Sequence, residues 1–144
     1  MLTSELTQKI KQQLKDLGVV LIYLFGSVAQ ELEQPDSDLD LAVLMNPAFV
    51  KTSAGRKELQ TGNTLKVYGD LYDILTQAFP GKKLDIVFLQ RAPLELRFDV
   101  IAHGQVLFES ENALRLDFEE KIMRQYADFK PILEEFNQAV LNRV

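Results

Sequence analysis

The sequence predicts an α/β (α+β) fold, a small sheet of about four strands flanked by helices, with a long helix closing the chain. Short runs of β-branched, aromatic and aliphatic residues at 19–25, 38–45, 84–89 and 105–108 are too short for typical helices and are bounded by Gly, Pro or polar residues. Between them, apolar residues recur every three or four positions, the period of an amphipathic helix. Strands and helices alternate along the chain, with no internal repeat or low-complexity tract, so one domain is expected over residues 1–144. A chain of that length buries about 68–70% of its unfolded surface, enough for a core without staples.

In order, residues 4–17 put Leu6, Ile10, Leu14 and Leu17 on one helical face, with Thr3 or Ser4 as cap and Gly18 as stop. Val19 to Phe25 reads as a buried strand closed by Gly26. Ser27 is a good N-cap for a short helical pattern, Val28 to Leu32. Gln34-Pro35-Asp36-Ser37 supplies a turn, and Asp38 to Met45 reads as the second strand. Asn46-Pro47 breaks that strand and opens a polar segment to about Asn63. Its Gly55, Gly62 and sparse apolar residues favour a surface connection, with a lid over a bound ligand as the alternative.

Tyr68, Leu71, Leu75 and Phe79 restore a helical stripe that ends at Pro80-Gly81, ahead of a third strand from Leu84. Pro93 suits the first turn of a helix carrying Leu94, Phe98 and Ile101 down to Gly104. Gln105 to Phe108 reads as an edge strand. Ser110 then caps a long helix on which Leu114, Phe118, Ile122, Tyr126, Phe129, Leu133, Phe136 and Val140 recur, with a kink expected at Pro131. That helix has more aromatic surface than a peripheral helix needs, so docking on the sheet and binding a partner chain are both open.

Composition narrows the function. The chain has no cysteine, which excludes disulfides, thiol nucleophiles and cysteine zinc sites. Its one histidine, His103, excludes multi-histidine metal sites and reads as a residue at a helix C-terminus. A net charge of −5 without a long basic run argues against direct nucleic-acid binding. Arg56-Lys57 and Lys82-Lys83 read as solvated charges. With no secretory pattern and no apolar run long enough to span a membrane, a soluble cytoplasmic protein without membrane attachment is expected.

The chemistry is concentrated around the first two strands. Gly26 permits a tight turn and close backbone approach, and Ser27 at a helix start adds a hydroxyl to free N–H groups, a combination that suits a phosphate. Asp38 and Asp40 are two apart on a strand, so their carboxylates share one face while Leu39, Leu41 and Val43 take the other. Asp85 opens the third strand and joins them if the two strands are neighbours. Carboxylates about 4 Å apart repel by roughly 1 to 4 kcal/mol, so the group calls for a cation, and hard oxygen ligands suit Mg²⁺.

The stretch LFGSVAQELEQPDSDLDLAVL, followed by LDIVFL, resembles the GS-x10-DxD signature and third aspartate of the polymerase-β-like nucleotidyltransferases. Within them it resembles the minimal nucleotidyltransferases, which include MntA antitoxins paired with HepT-type HEPN toxins; APLELRFDVIAHGQVLFE and the helix holding YADFKPILEEF are similar to the same group. One departure is Gln30, where many relatives carry a basic residue. The resemblance implies a mixed, partly antiparallel sheet and Mg²⁺-dependent transfer of AMP from ATP with release of pyrophosphate. Asp38, Asp40 and Asp85 would be catalytic and would hold two Mg²⁺ ions, Asp85 taking the acceptor's proton or keeping the metal that acidifies it. Gly26 and Ser27 would hold the nucleotide's phosphates. A short chain leaves little material for an acceptor domain, so the acceptor is expected to bring its own surface. By the same likeness it is a tyrosine hydroxyl of a cognate HEPN ribonuclease toxin, which modification would neutralise. The alternatives are a small-molecule (antibiotic) nucleotidyltransferase and a non-enzymatic antitoxin acting by complex formation.

Overall fold

The computed structural model describes residues 6–26, 38–46 and 61–143. Ser27, the helix expected over 28–32 with Gln30, the turn at 34–37, and the segment 47–60 with Arg56-Lys57 lie outside the described residues. Helix α1 (Gln8–Leu17) leads into β1 (Val19–Phe25), followed by β2 (Leu39–Met45), α2 (Thr61–Ala78), β3 (Leu84–Phe88), α3 (Leu94–His103), β4 (Gln105–Glu109) and α4 (Asn112–Leu141). The strands form one mixed sheet in the order β3-β2-β1-β4. β1 pairs antiparallel with both β2 and β4, while β2 and β3 run parallel. The expected mixed α/β fold with its long C-terminal helix is therefore the observed one.

Some element boundaries differ from the sequence reading. The cap of α1 is Thr7, whose hydroxyl accepts a hydrogen bond from the Ile10 N–H at 3.2 Å, in place of Thr3 or Ser4. Leu6 still reaches the core, from the residue preceding that cap. At its other end Gly18 adopts φ 96° and its N–H closes the helix on Leu14 and Lys15 carbonyls. Helix α2 begins at Thr61, inside the segment read as a connection. Glu111, not Ser110, is the N-cap of α4, without a side-chain capping bond, because the Ser110 N–H is held by the Val20 carbonyl at 2.8 Å. The helix is continuous through Pro131.

Strand alternation divides the core in two. Ile22, Leu24, Leu41, Val43 and Ile86 pack with Ile10, Leu14, Leu71 and Leu75 of α1 and α2. On the other face Leu21, Tyr23 and Ala42 pack with Leu89 and Val100, and with Phe118 of α4. Register shifts in β1, between Val19 and Leu21 and again between Ile22 and Tyr23, break the strict alternation. Val20 and Leu21 thus fall on the same face, as do Leu107 and Phe108 on the other.

Candidate active site

The parallel pairing of β2 and β3 puts Asp40 directly opposite Asp85. The start of the pair is fastened where the Leu39 N–H donates to the Lys83 carbonyl at 2.9 Å, immediately beside Asp38. Leu39 and Leu41 are buried against α1 and α2, so the pleat turns Asp40 to the face that carries Ala42. Asp85 alternates in the same way between buried Leu84 and Ile86. The two carboxylates are therefore held on one face by the burial of their apolar neighbours.

Gly26 completes this edge. It ends β1 at φ 79°, and Phe25, the residue before it, pairs with Asp40. A Cβ at position 26 would overlap Asp40 Oδ2, so both the positive φ and the close approach of a carboxylate require glycine. Ser27 is outside the described residues, so only the glycine half of the expected phosphate site is described.

Burial and the negative charges of Asp85 and Asp38 push the Asp40 carboxyl above the usual aspartate range. Asp85 also hydrogen-bonds the Asp40 carboxyl, which favours a shared proton. Among the described residues, no group of three or more His, Asp or Glu side chains is gathered into a ready metal cage. The donor set nevertheless suits Mg²⁺, which takes one or two carboxylates and fills the rest of its shell with water and phosphate oxygens. A cleft of about 220 Å³ lined by Lys15, Val19, Asn46 and Ser110 lies at the opposite end of β1 and β2, remote from this pair. His103 sits at the C-terminus of α3 as expected, exposed and 3.1 Å from Asp99 one turn earlier.

Residues 8–113 match the family model described as polymerase beta, nucleotidyltransferase. The chain belongs to this family. A comparison with curated proteins returns no match. Among solved structures, the fold is similar to a toxin–antitoxin complex crystallised with AMP-PNP, at 26% identity and TM-score 0.61, covering 92% of this chain and 96% of that one. It is also similar to an MntA–HepT toxin–antitoxin complex, at 24% identity and TM-score 0.56, covering 92% and 94%. A third is a complex of a tri-AMPylated HEPN toxin with its MNT antitoxin from Shewanella oneidensis, at 24% identity and TM-score 0.58, covering 98% and 99%. The family resemblance and the fold expected from the sequence are both borne out.

A polar network behind the carboxylates was not anticipated. Tyr23, fully buried in β1, donates its hydroxyl to Glu119 of α4. Arg115 bonds Glu119 at 3.2 Å and also pairs with Glu109 of β4. Burial first, then the hydrogen bond to Glu119, raises the Tyr23 hydroxyl far above its ordinary pKa and keeps it protonated. The signal available in the sequence was one phenol in an otherwise hydrocarbon strand, and the Arg115/Glu119 spacing of one helical turn. Phe98 of α3 stacks on Tyr126 of α4 with ring centroids 3.9 Å apart, joining the two helices behind the sheet. None of the described helices is long and apolar enough to cross a membrane.

Proposed function

We propose that this chain is an antitoxin that transfers AMP from ATP to a tyrosine hydroxyl of a cognate HEPN ribonuclease toxin and thereby silences it. The observation that carries the chemistry is the Asp40–Asp85 register pair against Gly26, on a family fold that performs nucleotidyl transfer. Its likeness to toxin–antitoxin complexes, one holding AMP-PNP and another a tri-AMPylated HEPN toxin, supports the donor and the acceptor.

In this reading the acceptor oxygen attacks the α-phosphorus of ATP. The new O–P bond forms as the bond from the α-phosphorus to the pyrophosphate oxygen breaks, and pyrophosphate leaves. Asp85, the more exposed of the register pair, receives the acceptor's proton. Gly26 offers backbone close to the triphosphate, and Ser27 would add its hydroxyl. Asp38, Asp40 and Asp85 would hold Mg²⁺, which when bound neutralises phosphate charge and acidifies a coordinated hydroxyl. Positioning and electrostatics carry the rate, with no covalent enzyme intermediate.

The test is incubation with [α-³²P]ATP, Mg²⁺ and the HEPN toxin, followed by tandem mass spectrometry and a ribonuclease assay. AMP on a toxin tyrosine, with loss of ribonuclease activity, is expected. Label on a small molecule instead, or inhibition of the ribonuclease without any label, would refute protein AMP transfer.

A further inference from the structure

We infer that Lys83 is a substrate-binding residue of the active site, and that its ammonium contacts the α-phosphate of the nucleotide from the β3 side, across Asp40 from Gly26. This rests on the reading of the chain as an AMP transferase.

The need for a cation comes from charge. Asp38, Asp40 and Asp85 lie at one edge of the sheet, where a triphosphate has to be placed, and Mg²⁺ offsets only part of that negative charge. None of the four strands contains a lysine or arginine, so any strand-borne cation for the phosphates comes from the residues that flank them. At the carboxylate end β1 is followed by Gly26, β2 is preceded by Asp38 and β4 by Gly104. Among the described residues, only β3 is entered through a basic pair, Lys82-Lys83.

Backbone pairing separates the two lysines. The Leu39 N–H donates to the Lys83 carbonyl at 2.9 Å, so the parallel ladder of β2 and β3 reaches Lys83. One step before the Leu39–Leu84 pair, the register sets Lys83 beside Asp38. Leu84 is 4% exposed, on the face packed against α1 and α2. Alternation turns Lys83 to the other face, with Asp85, and Lys82 to the face of Leu84. Accordingly Lys82 is half-buried and Lys83 is exposed. Among the described residues no salt bridge holds Lys83, although Asp38 stands next to it in the register.

Reach decides which atoms the ammonium meets. Lys83 and Asp85 are about 7 Å apart along an extended strand, and the four-carbon stem of a lysine covers a comparable distance. The ammonium therefore reaches oxygens held over the Asp40–Asp85 pair. Gly26 approaches the same Asp40 from β1, on its other side. Gly26 and Lys83 thus flank Asp40 from two strands about 10 Å apart, and serve different phosphates. With the leaving pyrophosphate at Gly26, the phosphate above the carboxylate pair is the one being transferred. An ammonium there stabilises the charge on its non-bridging oxygens as the acceptor oxygen attacks, while the acceptor's proton still goes to Asp85.

The experiment uses the full chain, the HEPN toxin, Mg²⁺ and ATP, with AMP transfer followed by intact mass, and the Rp and Sp isomers of ATPαS as probes of the α-phosphate. Lys83→Ala is expected to lower kcat by about 10–10²-fold, with KM for the toxin and Tm unchanged. Lys83→Arg, which keeps the charge and the reach, should recover most of that loss. The ratio of rates with the two ATPαS isomers should shift severalfold in Lys83→Ala, because one non-bridging oxygen faces the ammonium. Lys82→Ala, which removes the same charge one residue away on the other face, should turn over like wild type. Lys83→Ala that keeps the wild-type kcat, or loses rate at an unchanged isomer ratio, overturns the α-phosphate contact while AMP transfer stands. So does a rise in KM for the toxin alone, which makes Lys83 part of the acceptor's docking surface. An equal loss in Lys82→Ala overturns it too, as an effect of general charge. Wild type that modifies nothing overturns the underlying reading as well.

Discussion

The face of the sheet turned towards α1 and α2 receives only apolar side chains from β2, whereas the face turned towards α3 and α4 receives Asp40 from the same strand, and the Tyr23–Glu119–Arg115 network from its neighbours. Both faces are made by one alternation of side chains along β2 and β3. The dry face fixes the register, because a slip of one residue would bury Asp40 and expose Leu41. The wet face then inherits the placement of Asp40 opposite Asp85 from that register. Stability and chemistry are thus separated by a period of two, and substitutions on the two faces should separate them too.

The largest effect should come from the wet face. Asp85→Asn is expected to lower AMP transfer by about 10²–10⁴-fold, the usual worth of a positioned acid–base group, with folding intact by circular dichroism. Leu41→Ala, on the dry face, should do the reverse: it costs about 2–5 kcal/mol in urea unfolding, while the activity of the molecules that remain folded changes little. Inactivation by Leu41→Ala without loss of stability would erase the distinction between the faces.

Gly26→Ala sharpens the comparison, since it strains φ 79° and drives a methyl into Asp40. A stability loss of about 1–2 kcal/mol is expected, together with a transfer rate lowered by about 10²-fold through misplacement of Asp40. Arg115→Ala removes the cation between Glu109 and Glu119 and should cost about 1–3 kcal/mol of stability, seen as a lower Tm, with the transfer rate per folded molecule nearly unchanged.

The smallest effect is a pH dependence. Because the folded state raises the Asp40 pKa, it binds that proton more tightly than the unfolded chain does. This contribution to stability is full below the unfolded value, near pH 4, and is lost as pH rises through the elevated folded value. At neutral pH the pair is therefore a net cost in the metal-free chain. Asp85→Asn should raise the metal-free Tm at pH 7 by a few degrees, roughly 1 kcal/mol or less after solvent screening, and the gain should vanish towards pH 4. A Tm gain of the same size at both pH values would remove the carboxylate repulsion from the account.

The strands and the place of Asp40 on β2 were legible because alternation and turn chemistry are local signals: Leu39-Asp40-Leu41 states its own facing, whereas Asp38, expected to open the strand, falls one residue before it. That β3 lies beside β2, which brings Asp85 opposite Asp40, is a long-range pairing that the sequence left conditional and the sheet order supplies. Thr7 escaped as the α1 cap because Thr3 and Ser4 offered the same chemistry, and Leu6 fitted the helical stripe equally well from outside the helix. Tyr23 read as one more apolar strand residue, since nothing local shows that α4 returns Glu119 to its hydroxyl.

The most direct test of AMP transfer through this carboxylate edge is the intact mass of the HEPN toxin after incubation with the chain, ATP and Mg²⁺, run beside the Asp38→Asn/Asp40→Asn double variant. The account predicts a gain of one or more AMP units with wild type and none with the double variant, which should still bind the toxin. An unmodified toxin that is nonetheless neutralised equally by both proteins would contradict it, and would make this chain an inhibitor by binding alone.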